Sequence, residues 1–150
     1  MGRLHIVVDD RERQPWGFGD LAEVSRGRLP TGDYALEGDL GFAIERKSLD
    51  DYIGTISSGW QNFRAELERM KRAGFPARAV IVEADWSDVV KGAYNHPEIK
   101  PPFILKRTGE LIYSGVCVCF ASNPTTAAGL AWKILAVRGK DIFDDSENKS

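Results

Sequence analysis

The chain has 150 residues, 43% of them hydrophobic and 28% charged, enough for one domain that buries roughly two thirds of its unfolded surface without disulfides or a structural metal. Twenty basic residues against 22 acidic ones give a net charge of −2, which excludes a general cationic coat for nucleic acid or membrane. Four acids and one lysine fall within Asp141–Ser150, leaving the body at +1, so an anionic partner must be met by a local patch.

Leu4 to Val8 is a β-branched run entering the charged cluster Asp9-Asp10-Arg11-Glu12-Arg13, the pattern of a buried strand whose end carries polar side chains. Strand-like pieces follow at Glu23–Leu29, Asp33–Leu36 and Phe42–Lys47. The turns Pro30-Thr31-Gly32 and Glu37-Gly38-Asp39 separate them, which predicts an antiparallel meander. At Ser48 the period becomes helical: Ser48-Leu49-Asp50-Asp51 has the form of a capping box, and Leu49, Tyr52, Ile53 and Ile56 recur at three and four. A second helix is predicted over Gln61–Ala73, burying Phe63, Leu67 and Met70, with Gly74 and Pro76 as its stop. Ala77 to Val82 reads as a continuous apolar run ending at Glu83, the mark of a central strand covered on both faces. Between Asp85 and Ser114 only a short helix at Ser87–Lys91 and another after Pro102 are suggested. Val116–Phe120 is the next strand. Asn123-Pro124 then caps a last helix to Arg138, with Ala127, Leu130, Ala131, Ile134 and Leu135 on one face. This succession predicts an α/β fold with helices flanking a mixed central sheet, a domain over residues 1–140 and a disordered acidic tail over 141–150.

Cys117 and Cys119, two apart on a strand, point the same way and are expected as buried thiols. His5 and His96 are too few and too distant for a zinc site. No run reaches about 18 apolar residues and no leader pattern opens the chain, so an intracellular location is expected.

The chemistry centres on Glu45-Arg46-Lys47. On a strand, Ala43, Glu45 and Lys47 share one face while Phe42, Ile44 and Arg46 share the other. Asp33 opens the neighbouring strand, so a tight turn can bring its carboxylate beside that of Glu45. Two acids in one site repel unless a cation lies between them, and hard oxygen donors suit Mg2+ or Mn2+. Glu-x-Lys also occurs at Glu98–Lys100 and Glu147–Lys149, but the first of these lies among prolines and the second in the tail. Arg46, facing the other way, is expected to pair with an acid such as Glu12 or Asp51.

Val8-Asp9-Asp10-Arg11-Glu12, Gly32-Asp33-Tyr34 and Glu45-Arg46-Lys47-Ser48-Leu49-Asp50-Asp51 together resemble the ordered signature of the XPF-type nuclease domain. That domain is a branch of the restriction-endonuclease-like PD-(D/E)XK superfamily. The resemblance implies catalytic and metal positions at Asp9, Asp33, Glu45, Lys47 and Asp51, with Asp33, Glu45 and Asp9 on the metal and Arg11, Glu12 and Arg46 shaping the site. It also implies in-line attack of water on phosphorus to leave 5′-phosphate ends, and a homodimer or heteromer formed through the C-terminal helices. Ala127, Leu130, Ala131, Trp132 and Leu135 offer an apolar surface for such an interface. A lysine acting as base at pH 7 must overcome about 4.6 kcal/mol of preference for the ammonium form, and nearby carboxylates oppose it, so Lys47 is expected to stabilise charge.

Where the family has a Gly-Arg pair and a downstream Gln, Gly59 is followed by Trp60, Gln61, Asn62, Phe63 and Arg64, and Arg64 is expected to supply the missing cation from one turn further along. The tandem helix-hairpin-helix module of many relatives is not expected within these 150 residues. Arg64, Arg69, Lys71 and Arg72 on the second helix, with Lys106 and Arg107 beyond, are candidates for the DNA backbone. Trp16, Trp60 and Trp86 are expected in packing rather than in base stacking. The implied function is a metal-dependent endonuclease acting at branched, flap or fork DNA in repair, recombination or replication. A non-catalytic DNA-binding or scaffolding subunit is the alternative, and restriction-like specificity or broad action on single strands stays open.

Overall fold

The computed structural model describes residues 2–74 and 77–148, with side chains over 78–143 in the second stretch. Its strands are β1 (Leu4–Asp9), β2 (Ala22–Gly27), β3 (Tyr34–Leu36), β4 (Phe42–Ser48), β5 (Ala77–Glu83) and β6 (Cys117–Phe120). The helices are α1 (Leu49–Ile56), α2 (Trp60–Arg72), α3 (Trp86–Lys91), α4 (Pro101–Tyr113) and α5 (Pro124–Asn148). The strands form one mixed sheet in the order β2-β1-β3-β4-β5-β6, which bears out the α/β expectation.

The meander is the part of the fold that differs. β1 lies between β2 and β3, parallel to the first and antiparallel to the second; only β3 and β4 form the expected antiparallel pair. The reason lies in burial. Ile6 and Val8 of β1 are fully buried, whereas β2 exposes Glu23, Val24 and Arg26, so the apolar strand takes the interior and the polar one the edge. The crossing from β1 to β2 lays Trp16 and Phe18 over the same core as Ile6 and Val8.

Alternation along the strands divides the core into two layers. On one face Ile6, Val8, Ile44 and Ile81 pack against Ala127, Ala131 and Leu135 of α5. On the other, Val80 and Val82 meet Ile53 and Ile56 of α1, Phe63 of α2, and Ile104 and Leu111 of α4. Ser48 caps α1 by accepting the Asp51 N–H at 3.1 Å. Asn123 caps α5 by accepting the Thr126 N–H at 2.8 Å. α2 begins at Trp60 and ends at Arg72, with Ala73-Gly74 as its turn; Pro76 lies outside the described residues.

Three further expectations are corrected. Ala127, Ala131 and Leu135 are fully buried against the sheet, so they belong to the core and not to a dimer surface. α5 continues past its expected end at Arg138 to Asn148. No proline interrupts it, Gly139 packs against Leu4 and Leu36, and Ile142 rests on the core. The two thiols share a side, with sulfurs 3.4 Å apart, yet Cys117 is exposed because β6 is the sheet edge. Trp16 is buried and stacked on Tyr34 at 4.5 Å, and Trp86 lies 4.1 Å from Phe120. Among the described residues no helix is long and apolar enough to cross a membrane.

Candidate active site

The site begins at a turn. Gly32 has φ +74°, and a Cβ there would come within 2.7 Å of the Ala43 Cβ; only glycine lets the chain lie this close to β4. The next residue, Asp33, is then fixed twice. Its backbone N–H donates to the Ile44 carbonyl at 2.8 Å and its Oδ2 accepts the Arg46 N–H at 2.8 Å. The carboxylate therefore spans β4 at the position of Glu45.

β4 and β5 are in parallel register with Ala43 opposite Arg78 and Glu45 opposite Val80. Glu45, Lys47 and Arg78 consequently stand on one face of the sheet, the face covered by α1, α2 and α4. Lys47 Nζ lies 3.7 Å from Glu45 Oε1. On the other oxygen, Arg78 Nη2 lies 2.7 Å from Glu45 Oε2 and 3.0 Å from Glu66 Oε1 of α2. Asp9, Glu12, Asp33, Glu45, Glu66 and Arg78 line one cleft. Burial pushes the Asp33 carboxyl up to about 6, with the charges of Glu12 and Glu45 adding to the rise. Lys47 acts in the opposite sense but more weakly, so Asp33 is a half-buried carboxylate whose acidic neighbours outweigh its nearest cation.

Asp9 lines this cleft in a different capacity. Its carboxylate is 1% exposed and accepts the Arg11 N–H, Nε and Nη2 and the Leu29 N–H at 2.7–3.1 Å. The Arg11 guanidinium holds it down to about 2. Both oxygens are engaged, so in this structure Asp9 fixes the Pro30 turn and orients Arg11, whose side chain is 59% exposed. Glu12 accepts the Tyr34 hydroxyl at 3.0 Å.

Arg46 lies on the opposite face, as alternation requires. It meets Glu83 at 2.6 Å, Glu12 at 3.6 Å and the Trp16 ring at 5.1 Å from its centroid. Asp51, the other partner considered for it, stands elsewhere. With Lys47, Asp50, Asn62 and His96 it lines a second groove beside α1; Lys47 links that groove to the acidic cleft through its contact with Glu45, while Asp51 faces the groove alone.

The basic residues of α2 do not form one stripe. Arg64 and Lys71, seven residues apart on a helix of about 3.6 residues per turn, share a side. They line a third depression with Trp60, Leu111 and Val116. Arg69 and Arg72 are exposed elsewhere around the helix. The side turned to the acids carries Glu66. Arg107 folds back over Trp60 at 4.4 Å and donates to the Ile56 carbonyl at 3.2 Å.

Three residues of the site escaped the sequence reading: Glu66, Arg78 and Glu83. Arg78 had a signal, since it is the charged residue inside the apolar run of β5, an odd number of positions before Glu83 and so on the opposite face from it. It is 5% exposed, and a buried guanidinium demands an acid nearby.

The donors suit a divalent cation in kind. Glu45 Oε2 is buried with no hydrogen bond among the described residues, and Asp33 supplies a second hard oxygen beside it. Among the described residues no three acids, imidazoles or thiols already stand in position to hold one ion. An ion held by these two acids would have to take the place of Arg78 at Glu45.

A family model described as the ERCC4 domain matches residues 8–129. Among solved structures, XPF from Aeropyrum pernix superposes with a TM-score of 0.66 at 19% identity, covering 89% of this chain and 61% of that one. XPF from Aeropyrum pernix in complex with DNA gives 0.67 at 23% identity, with 93% and 66% covered. The chain thus spans somewhat less than two thirds of the length of these structural relatives. No curated protein matches it. The motifs at Asp9, Asp33 and Glu45–Asp51 lie within the matched segment and on the matched fold, and the chain belongs to the ERCC4 domain family.

Proposed function

We propose that the chain is a divalent-metal-dependent DNA endonuclease that hydrolyses phosphodiester bonds at branched, flap or fork DNA. The observation that carries this reading is the fastening of the Asp33 carboxylate across β4 at Glu45, beside Lys47. Asp33 and Glu45 hold the ion. When bound, Mg2+ or Mn2+ supplies charge to a non-bridging phosphate oxygen and makes water acidic. Lys47, fixed on the rigid strand, is a cation positioned for the scissile phosphate and the charge that develops on it. Arg11, presented outward by Asp9, is a second phosphate contact. Asp51 lies further along the groove that Lys47 borders.

DNA backbone contacts fall to Arg69 and Arg72, with Arg64 and Lys71 on the neighbouring side of α2. Family membership and the likeness to XPF from Aeropyrum pernix in complex with DNA support DNA as the partner; the choice of residues rests on their charge and exposure. We further propose an intracellular, DNA-associated role in repair or recombination, and self-association through the exposed side of α5 around Lys133 and Val137. The ion pair between Glu45 and Arg78 favours a second reading, a non-catalytic DNA-binding subunit in which an arginine has replaced the metal.

Cleavage of labelled flap, fork, duplex and single-stranded DNA with Mg2+, Mn2+ or chelator separates the two. The enzyme reading expects metal-dependent products that Asp33→Ala and Lys47→Ala abolish. Absence of products on every substrate at high protein concentration supports the subunit instead. Cleavage that survives both substitutions places the site elsewhere.

A further inference from the structure

We propose that Arg78 is a built-in competitor for the divalent ion: it holds Glu45 while the ion is away and passes wholly to Glu66 when the ion binds. The Arg78–Glu66 pair then sets the metal concentration at which the site loads. This rests on the assignment of Asp33 and Glu45 as metal ligands.

Arg78 is a buried charge in a strand whose neighbours Ala79, Val80, Ile81 and Val82 are buried and apolar. Such a charge is costly without a partner, and Arg78 divides itself between two. Its one aligned hydrogen bond runs from Nη2 to Glu66 Oε1 at 3.0 Å. The closer approach to Glu45, 2.7 Å, is charge contact alone: Glu45 Oε2 has no hydrogen bond, and Nε and Nη1 of Arg78 have none either among the described residues.

A guanidinium placed to lock a carboxylate makes the two-bonded fork that this side chain is built for. Here the fork is unused. Both Glu45 oxygens face cations, Lys47 on Oε1 and Arg78 on Oε2, so an entering ion must displace one of them. Arg78 is the one with an acceptor already in hand. Glu66 lies on α2, 41% exposed, and the guanidinium stays paired with it after leaving Glu45. Lys47 then remains free for its role at the phosphate.

Arg78 is thus a positioning residue acting through Glu45, and the test reads metal binding directly. Mn2+ is titrated into the full chain and followed by the electron paramagnetic resonance of the free ion. Wild type is compared with Arg78→Met, Glu66→Gln, the double variant and Asp33→Asn. Removing the competitor is expected to tighten Mn2+ about tenfold. Glu66→Gln, which strands Arg78 on Glu45, is expected to weaken it about threefold and to have no effect once Arg78 is Met.

A Glu66→Gln loss that persists in the Arg78→Met background makes Glu66 a direct ligand and overturns the proposal. So does unchanged or weaker binding in Arg78→Met. Should that variant fail to fold, Arg78→Lys keeps the charge on a shorter reach, and a smaller tightening is expected; none overturns the idea. If wild type has no Mn2+ site that Asp33→Asn removes, the ligand assignment itself falls. A site that Asp33→Asn removes but Arg78→Met does not tighten refutes the competitor alone.

Discussion

Asp33→Asn is expected to make the metal-free protein more stable at neutral pH while removing its response to metal. The Asp33 carboxyl is pushed from an ordinary 3.8 up to about 6, first by burial and then by Glu12 and Glu45. The folded state therefore holds this proton more tightly than the unfolded chain. The associated stability is fully present below about 3.8 and is lost as pH rises through about 6. Two pKa units correspond to about 3 kcal/mol. Solvent reaching this half-buried group screens part of that, leaving about 1.5 kcal/mol.

Asparagine keeps an oxygen for the Arg46 N–H and nearly the same shape, so the charge is the main thing removed. At this chain length about 1.5 kcal/mol raises Tm by roughly 3–6 °C. Thermal unfolding in chelator from pH 4 to 8 should show the two proteins together at the acid end, separating between pH 4 and 6 and parallel beyond. Added Mn2+ at pH 7.5 should raise the wild-type Tm and leave that of the variant unchanged. An Asp33→Asn protein less stable than wild type at pH 8 in chelator would refute the reasoning, as would a difference that does not vary with pH.

Asp9 behaves in the opposite sense. Held down to about 2 by Arg11, it contributes stability above about 3.8 that is lost as pH falls through about 2; Asp9→Asn should cost about 2 kcal/mol in urea unfolding at pH 7, with the gap closing in acid. Glu83→Gln breaks the pair with Arg46 and leaves a guanidinium only 19% exposed with a weaker partner. A loss of about 2–3 kcal/mol is expected, with a change in Trp16 fluorescence reporting the same transition. Burial and the neighbouring Cys117 push the Cys119 thiol up to about 11. Timed alkylation at pH 8 followed by mass spectrometry should therefore label exposed Cys117 well before Cys119; simultaneous labelling contradicts the burial argument. If Arg69 and Arg72 each meet a phosphate, replacing either by Ala should lower the slope of log K against log salt for DNA binding by about 0.9, and an unchanged slope removes that residue from the interface.

The parts of this molecule that were legible in the sequence are those where a local period carries the information. Phe42 to Lys47 forms an unbroken strand, so the two-residue period of a strand by itself puts Glu45 and Lys47 on one side and Arg46 on the other. Gly32-Asp33 announces a turn into a strand, and Ser48 and Asn123 announce helix starts. Strand order was not legible. Pairing β1 between β2 and β3 joins Val8 to both Arg26 and Tyr34, and no local pattern encodes which of several strands a buried one will adjoin. The exposure of Cys117 and the inward turn of Ala127, Ala131 and Leu135 follow from that order and were lost with it. Arg78 is masked in the sequence by the apolar run Ala79–Val82 that follows it, although a single buried charge decides more chemistry than those neighbours do.

The fastening of Asp33 to both Ile44 and Arg46 has a consequence for what changes in length the chain can absorb. A residue inserted in the Glu37–Gly41 turn leaves the facing of both strands intact and acts on the turn's own bonds, chiefly the two-bonded pair between Asp39 and Arg138 of α5. The same residue inserted between Asp33 and Tyr34, or between Ile44 and Arg46, reverses every side chain beyond it on that strand. Tyr34 would leave the core, or Glu45 and Lys47 would change places with Arg46 across the sheet. Fold and chemistry are therefore lost together at these positions, whereas a change of length in the turn costs the tie to α5 and spares the facing of the site residues.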